Sequence, residues 1–355
     1  MLNKPAEGGI LEKSEQAGNI SMSRYDHLHR HEPDTGASSA YYSMTDGYPL
    51  PQKVGSYRLL RELARGSSSK IYLGEHECSR AQVAVKLLNQ PWDKEEVAKF
   101  LVQAAILSHL RHPNIVQVLD FGTQGEIAFL VMDYAPHGTL RQRHPRGSIV
   151  PLEQVISYVK QVAAALNHVH RHRLIHQDVK PHNMLVGPHD EIMLGDFGTA
   201  VIAEDFEGSQ QTLHDFEGTI LYAAPEQLQG KPRFCSDQYA LAVVVYEWLS
   251  GTCPFTGNLN EVVHQHLFTP PPPLSKQQGA VPPEVAEVVY KALAKQPTKR
   301  FPSTIVFASA LEKAAQMKQT EPIRHPELVK LRFRMQKRNR HQFISPLPFS
   351  EEMPL

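Results

Sequence analysis

Two short runs place four chemically useful side chains close together in the sequence. His176-Gln177-Asp178-Val179-Lys180-Pro181-His182-Asn183 is followed shortly by Asp196-Phe197-Gly198. Asp178, Lys180, Asn183 and Asp196 together offer two carboxylates, one amine and one amide. Phosphoryl transfer from a nucleotide needs such a set. One carboxylate takes or orients the proton of the attacking hydroxyl, the amine steadies the γ-phosphate, and a carboxylate and an amide hold Mg²⁺ across the phosphates. Asp-Phe-Gly alone carries little weight. The two runs in order, with Ala224-Pro225-Glu226 downstream, make a specific signal.

The rest of the composition sets bounds. The chain has 355 residues, of which 41% are hydrophobic, enough for a sizeable core. Lysines and arginines number 37, as do aspartates and glutamates, so no overall charge points to nucleic acid. Cys78, Cys235 and Cys253 are widely spaced and form neither a metal-ligand pair nor a disulfide framework, which fits a reducing, cytoplasmic setting. The first residues lack the apolar core of a secretion signal. The longest apolar run, Tyr239 to Leu249, carries Glu247 and is too short to span a bilayer, so no transmembrane segment is expected.

The elements that must position the four residues follow from periodicity. Residues 1–51 show neither helical nor strand period and read as a disordered leader. His27, His29 and His31 lie there without partner ligands at metal spacing, and read as part of that solvated tail. Strands are expected at Tyr57–Leu60, Lys70–Gly74, Gln82–Leu88, Ile115–Leu119 and Ile127–Met132. A helix capped by Asp93, with Glu96 three residues on, should interrupt them. After His137-Gly138 the apolar residues Val155, Ile156, Val159, Val162, Leu166 and Val169 recur at helical spacing. Further helices are expected near 236–250, 259–267, 283–294 and 304–318. Thr269–Leu274, with four prolines, reads as a rigid connector, with a polyproline ligand as the alternative. The last stretch is basic, through Lys330, Arg332, Arg334, Lys337, Arg338 and Arg340. It lies on an anionic surface, folds back over the domain, or is a solvated tail.

The spacing H-x-D-x-x-x-x-N followed by D-F-G resembles the catalytic-loop and metal-loop signature of protein kinases, specifically the eukaryotic-like (Hanks-type) bacterial serine/threonine kinases. The resemblance covers about Tyr57 to Lys313. It implies an α+β bilobal fold: a small β-rich N-lobe with one main helix at 52–135, a larger helical C-lobe at 136–315, and tails at 1–51 and 316–355. It implies ATP and Mg²⁺ as cofactors, and protein substrates. In that likeness Asp178 is the catalytic base, Lys180 steadies the γ-phosphate, and Asn183 and Asp196 hold the metal. Lys86 in Val83-Ala84-Val85-Lys86 contacts the α- and β-phosphates. Met132 is the gatekeeper, with Asp133, Tyr134 and Ala135 as the hinge. Ile71, Ala84 and Leu185 sandwich the purine. Leu107, His176 and Phe197 stack as a hydrophobic spine. Thr219, set against Asp178 and Lys180, points to Ser/Thr rather than Tyr specificity. Glu226 and Arg300 form a buried ion pair, and Asp237 braces the catalytic loop.

Three positions depart from the family pattern. The glycine loop falls on Ala64-Arg65-Gly66-Ser67-Ser68-Ser69, where only Gly66 keeps its place, so weaker ATP binding is expected. The helix glutamate that should pair with Lys86 is Gln103; Glu95 and Glu96 lie roughly 10–12 Å away along a helix. Gln103 is expected to accept a hydrogen bond from Lys86 at a loss of about 1 kcal/mol. The arginine before the catalytic aspartate is Gln177, which makes this a non-RD sequence. Three readings remain: an active Ser/Thr kinase, with every direct participant present; a pseudokinase that holds nucleotide or a partner; and a small-molecule kinase, against which Ala224-Pro225-Glu226 argues.

Gln177 carries no charge for an activation-loop phosphate to neutralise. Ser209 and Thr212 are the possible phosphosites. Replacing both by alanine is therefore expected to leave most of the transferase activity in place. Abolition of activity in that double variant would show that loop phosphorylation controls this chain after all.

Overall fold

The computed structural model describes residues 52–66, 69–88, 93–197, 200–202, 220–274 and 281–317. The leader, the basic tail, Gly198, Ser209, Thr212 and Thr219 lie outside them. Six strands form one antiparallel sheet: β1 (Lys53–Val54), β2 (Tyr57–Arg65), β3 (Ser69–His76), β4 (Gln82–Leu88), β5 (Val118–Gln124) and β6 (Ile127–Asp133). Their spatial order is β1-β2-β3-β4-β6-β5. Strand β4 shows why this sheet can present a site. Val83, Val85 and Leu87 are buried on one face against Tyr57, Tyr72, Phe129 and Val131. The pleat therefore turns Ala84 and Lys86 to the other face. Lys86 lies beside Ile71 on β3 and Leu130 on β6, and Ala84 beside Met132.

Helix α1 (Lys94–Ser108) begins where expected. Asp93 accepts from the Glu96 amide, and the Glu96 carboxylate accepts from the Asp93 N–H. The helix lies against β5. Here the strand expectation was displaced. Ile115 and Val116 are not in the sheet: Ile115 bridges to Leu194, and the Val116 N–H donates to Leu194 O at 2.9 Å. Those apolar residues tie the sheet to the second half of the chain. The strand itself starts at Val118 and runs through Asp120 and Gly122, whose residue types favour turns, because pairing with β6 outweighs propensity.

The second half is helical, as the α+β bilobal reading requires: α2 (Leu140–Arg143), α3 (Leu152–Arg171), α4 (Pro225–Leu228), α5 (Phe234–Ser250), α6 (Leu259–Phe268), α7 (Pro283–Ala292) and α8 (Thr304–Met317). Short strands β7 (Leu174–Ile175), β8 (Met184–Val186), β9 (Ile192–Leu194) and β10 (Val201–Ile202) form two antiparallel pairs, β7 with β10 and β8 with β9. Helix α5 is buried on all sides from Ser236 to Ser250 and serves as the core of this half. It stops at Gly251, at φ 81°, where an added Cβ would lie 3.0 Å from Gly147 O. The Pro-rich strap is tethered through its backbone at two points: Tyr246 donates to Pro272 O at 3.1 Å, and the Leu274 N–H donates to the Tyr290 hydroxyl at 2.6 Å. Leu274 is fully buried, as a connector requires. No helix among the described residues is long and apolar enough to cross a membrane.

Burying Glu247 inside α5 demands a partner. Arg141 of α2 donates to both its carboxylate oxygens at 2.8 and 2.9 Å, and Tyr222 donates at 2.7 Å. The two charged side chains are 11% and 4% exposed. Arg141→Ala should therefore cost about 3–5 kcal/mol in urea unfolding, because it strands a buried carboxylate. The apolar double variant Arg141→Met with Glu247→Leu should lose far less. A single variant as stable as wild type would mean the pair holds nothing.

Candidate active site

The catalytic-loop run leaves β7, passes through a tight turn, and re-enters structure as a single helical turn at Pro181–Asn183. Its shape is set from α5. Asp237, whose side chain is fully buried, accepts from the His176 N–H at 3.0 Å and the Gln177 N–H at 2.9 Å, and pairs with His170 Nε2 at 2.7 Å. Gln177 takes φ 66°, in the left-handed region that non-glycine residues seldom adopt. The His176 ring is buried. Its Nδ1 accepts from the Asp178 N–H at 3.2 Å, so Nε2 carries the hydrogen and donates to Gly195 O at 3.1 Å. This ties the loop to the second run. The His176 and Phe197 rings lie 4.6 Å apart, and Phe197 shares one buried cluster with Leu107.

Three of the four residues meet directly. Asn183 Nδ2 donates to Asp178 Oδ2 and to the Asp178 carbonyl, each at 2.8 Å, and Lys180 Nζ lies 2.8 Å from the same carboxylate oxygen. Across the cleft, Lys86 Nζ pairs with Asp196 Oδ1 at 2.8 Å, with the two side chains 14% and 44% exposed. Desolvation alone would push the Asp196 carboxyl up. The Lys86 charge and hydrogen bond outweigh it and hold the group below the usual aspartate range. Next to Asn183, partial burial and the charges of Arg141, Lys180 and Arg146 push His182 down to about 4, so its ring is neutral near pH 7. Asp196 itself has φ 58°. Gly195 precedes it in a tight space: an added Cβ would lie 2.7 Å from Leu185 Cδ1 and 3.0 Å from Val116 Cγ2, so both side chains would have to shift. That glycine was missed in the sequence, although its place directly before the aspartate was visible.

Gln103 does not take the expected place. Its amide nitrogen donates to Phe197 O at 3.0 Å and Ala200 O at 2.8 Å. Lys86 turns to Asp196 instead. A neutral amide is the side chain that can cap two carbonyls, whereas a glutamate there would face them with negative oxygens. The Gly66 N–H donates to Ser69 O at 2.8 Å, which closes its hairpin. At the hinge, the Asp133 N–H is committed to Gln117 O at 3.0 Å, while burial raises the Asp133 carboxyl. Ile71, Ala84, Met132, Ala135 and Leu185 are all partly open, consistent with a cleft lining. Glu226 and Arg300 meet as a two-pronged pair at 2.6 and 2.8 Å, backed by Ser236 at 2.6 Å and by Tyr239, whose ring lies 4.8 Å from the guanidinium.

The oxygen donors suit a hard cation. Asn183 spends its amide nitrogen on Asp178, which leaves its amide oxygen, and Asp196 spends one oxygen on Lys86, which leaves the other. One carboxylate and one amide oxygen, completed by phosphate oxygens and water, match the preferences of Mg²⁺.

The depressed Asp196 carboxyl links stability to pH. The ion pair's contribution is complete above the ordinary aspartate range and fades as pH falls through the lower folded-state value. The stability gap between wild type and Lys86→Met in urea should therefore narrow on acidification below that range. A gap that stays constant through acid would show that Asp196 gains nothing from Lys86.

Residues 57–314 match the protein kinase domain. Similar curated proteins include the serine/threonine-protein kinase PrkC of Bacillus subtilis, 31% identical over 70% of this chain and 38% of the relative. PknF of Mycobacterium tuberculosis is 37% identical over 74% of this chain and 58% of its own length. PknA of the same species is 34% identical over 72% and 61%. The chain thus spans from about two fifths to three fifths of the length of these relatives. A catalytic-loop run, a metal-loop run and a lysine-bearing strand, folded into two lobes and matched over most of the chain, make this chain a member of the protein kinase family.

Proposed function

We propose that the chain is a serine/threonine protein kinase that transfers the γ-phosphoryl group of ATP to Ser and Thr hydroxyls of proteins. The observation that carries this reading is the convergence of Lys180 and Asn183 on the Asp178 carboxylate, with Lys86 and Asp196 paired across the same cleft. Asp178 accepts the proton of the substrate hydroxyl as that oxygen bonds to the γ-phosphorus and the bond to the ADP oxygen breaks. Lys180, within reach of that carboxylate, swings its point charge onto the transferring group. Mg²⁺, held by Asn183 and Asp196, would neutralise the phosphate oxygens. Lys86 then exchanges Asp196 for the α- and β-phosphates. Met132, Asp133 and Ala135 edge the adenine, between Ile71 and Ala84 above and Leu185 below, with Gly66 over the phosphates. Thr219 is assigned with the catalytic set on its sequence position alone. The names of the relatives support the Ser/Thr assignment. Gln177 makes the kinase non-RD. The layout follows: an N-lobe at 52–135 and a C-lobe at 136–315, between tails at 1–51 and 316–355, working in the cytoplasm.

One observation favours a second reading, a nucleotide- or partner-binding pseudokinase. Lys86 already holds the metal-binding carboxylate, so Mg²⁺ must compete with it. The two readings part on turnover. With labelled ATP and Mg²⁺, wild type should incorporate label, and Asp178→Asn should fall by about 10²–10⁴-fold. Equal background label on both, with retained ATP·Mg binding, would establish the pseudokinase.

A further inference from the structure

The peptide groups on the two sides of Gln177 are held by two different elements. Its N–H donates to Asp237 Oδ1 of α5, and its C=O accepts from Gln227 Nε2 of α4 at 2.7 Å. Both glutamines are 4% exposed, so water does not compete for this contact. Only the amide nitrogen of Gln227 can serve a carbonyl, which fixes its orientation. Gln227 directly follows Glu226, and Glu226 is locked to Arg300 and Ser236. The donor is thus mounted on a rigid anchor. The acceptor belongs to the peptide bond that leads straight into Asp178, at a residue whose left-handed φ is costly without outside support.

We propose that Gln227 is a positioning residue, which sets the direction of Asp178 by holding the 177–178 peptide and couples the catalytic loop to the substrate-side helix α4 without a phosphate. The bond is neutral and is made within the folded domain, so it asks nothing of the charge that Gln177 lacks. The catalytic loop is therefore set in the unmodified chain, and α4 and the loop move as one unit. This inference rests on the assignment of Asp178 as the base.

The test uses the full chain and three variants, Gln227→Glu, Gln227→Met and Asp178→Asn, with autophosphorylation rate and ATP affinity measured from mildly acidic to mildly alkaline pH. A carboxylate at 227 cannot donate, but the protonated acid can. Gln227→Glu should react about tenfold more slowly than wild type at neutral and alkaline pH, with ATP affinity within about twofold. Its rate relative to wild type should recover on acidification. Gln227→Met should be equally slow and should not recover. Rates equal to wild type at every pH, or a loss that is independent of pH and matched by weaker ATP binding, would overturn the proposal. If Gln227→Glu does not fold, Gln227→Met decides alone through the split between rate and ATP affinity. A wild type no more active than Asp178→Asn would sink the kinase reading instead. Amide hydrogen exchange then still reads the bridge: faster exchange at residues 176–183 in Gln227→Met supports it, and unchanged exchange removes it.

Discussion

The buried carboxylate of Asp237 is the contact on which the site depends. It sits on a helix buried on every side from Ser236 to Ser250, so it cannot relax toward water. Its hydrogen-bonding capacity is met by two backbone N–H groups of the catalytic loop and by His170. Bonds to a charged acceptor are worth about 1.5–3 kcal/mol each, and a buried carboxylate that loses them meets a desolvation penalty as well. The loop therefore cannot drift without stranding a charge in the core. From that fixed point, His176 reaches Gly195, and Gly195 donates back to Asn183 O at 2.9 Å. One buried aspartate thus registers both chemical runs against each other.

Lys86 and Asp196 show a different economy of charge. In the absence of the glutamate that the family pattern leads one to expect, the lysine uses the nearest carboxylate. Gln103 is freed to cap two carbonyls of the segment that carries Asp196. The two arrangements support each other: the amide steadies the backbone of the segment, and the lysine steadies its side chain. Asp196 is 44% exposed, and a partly solvated ion pair is weak compared with a fully buried one.

Much of this was legible beforehand, for physical reasons that can be named. The capping box at Asp93 and Glu96 is a local device, so its sequence spacing is its geometry. The strand at 82–88 was legible from its β-prone residues, and its pleat then turns Lys86 to the face opposite Val83, Val85 and Leu87. What stayed hidden depends on contacts between residues far apart in sequence. Ile115 and Val116 have the composition of a strand but are spent on Leu194, and the true strand runs through Asp120 and Gly122 because β6 supplies its partners. Gln103 was placed correctly in the helix but assigned the wrong partner, since sequence fixes a helix face more readily than the carbonyls that a distant loop brings to it. Gln227 has no motif of its own, and its role emerges only once Gln177 O lies 2.7 Å away.

These long-range contacts differ in what they can tolerate. Arg141 with Glu247, and Glu226 with Arg300, are buried charge pairs, strong only while both members stay in place. They hold α2 to α5 and the Ala-Pro-Glu segment to Arg300 near the end of the domain. Beside the candidate site, contacts of another kind join the ion pairs Lys180–Asp178 and Lys86–Asp196. Gln103 and Gln227 each donate from a neutral amide to a carbonyl, and such a bond can break and reform without leaving a charge stranded. The buried pairs fix elements of the scaffold, whereas the charges of Lys86 and Asp196 stay partly open and are steadied by a neutral amide on the neighbouring backbone.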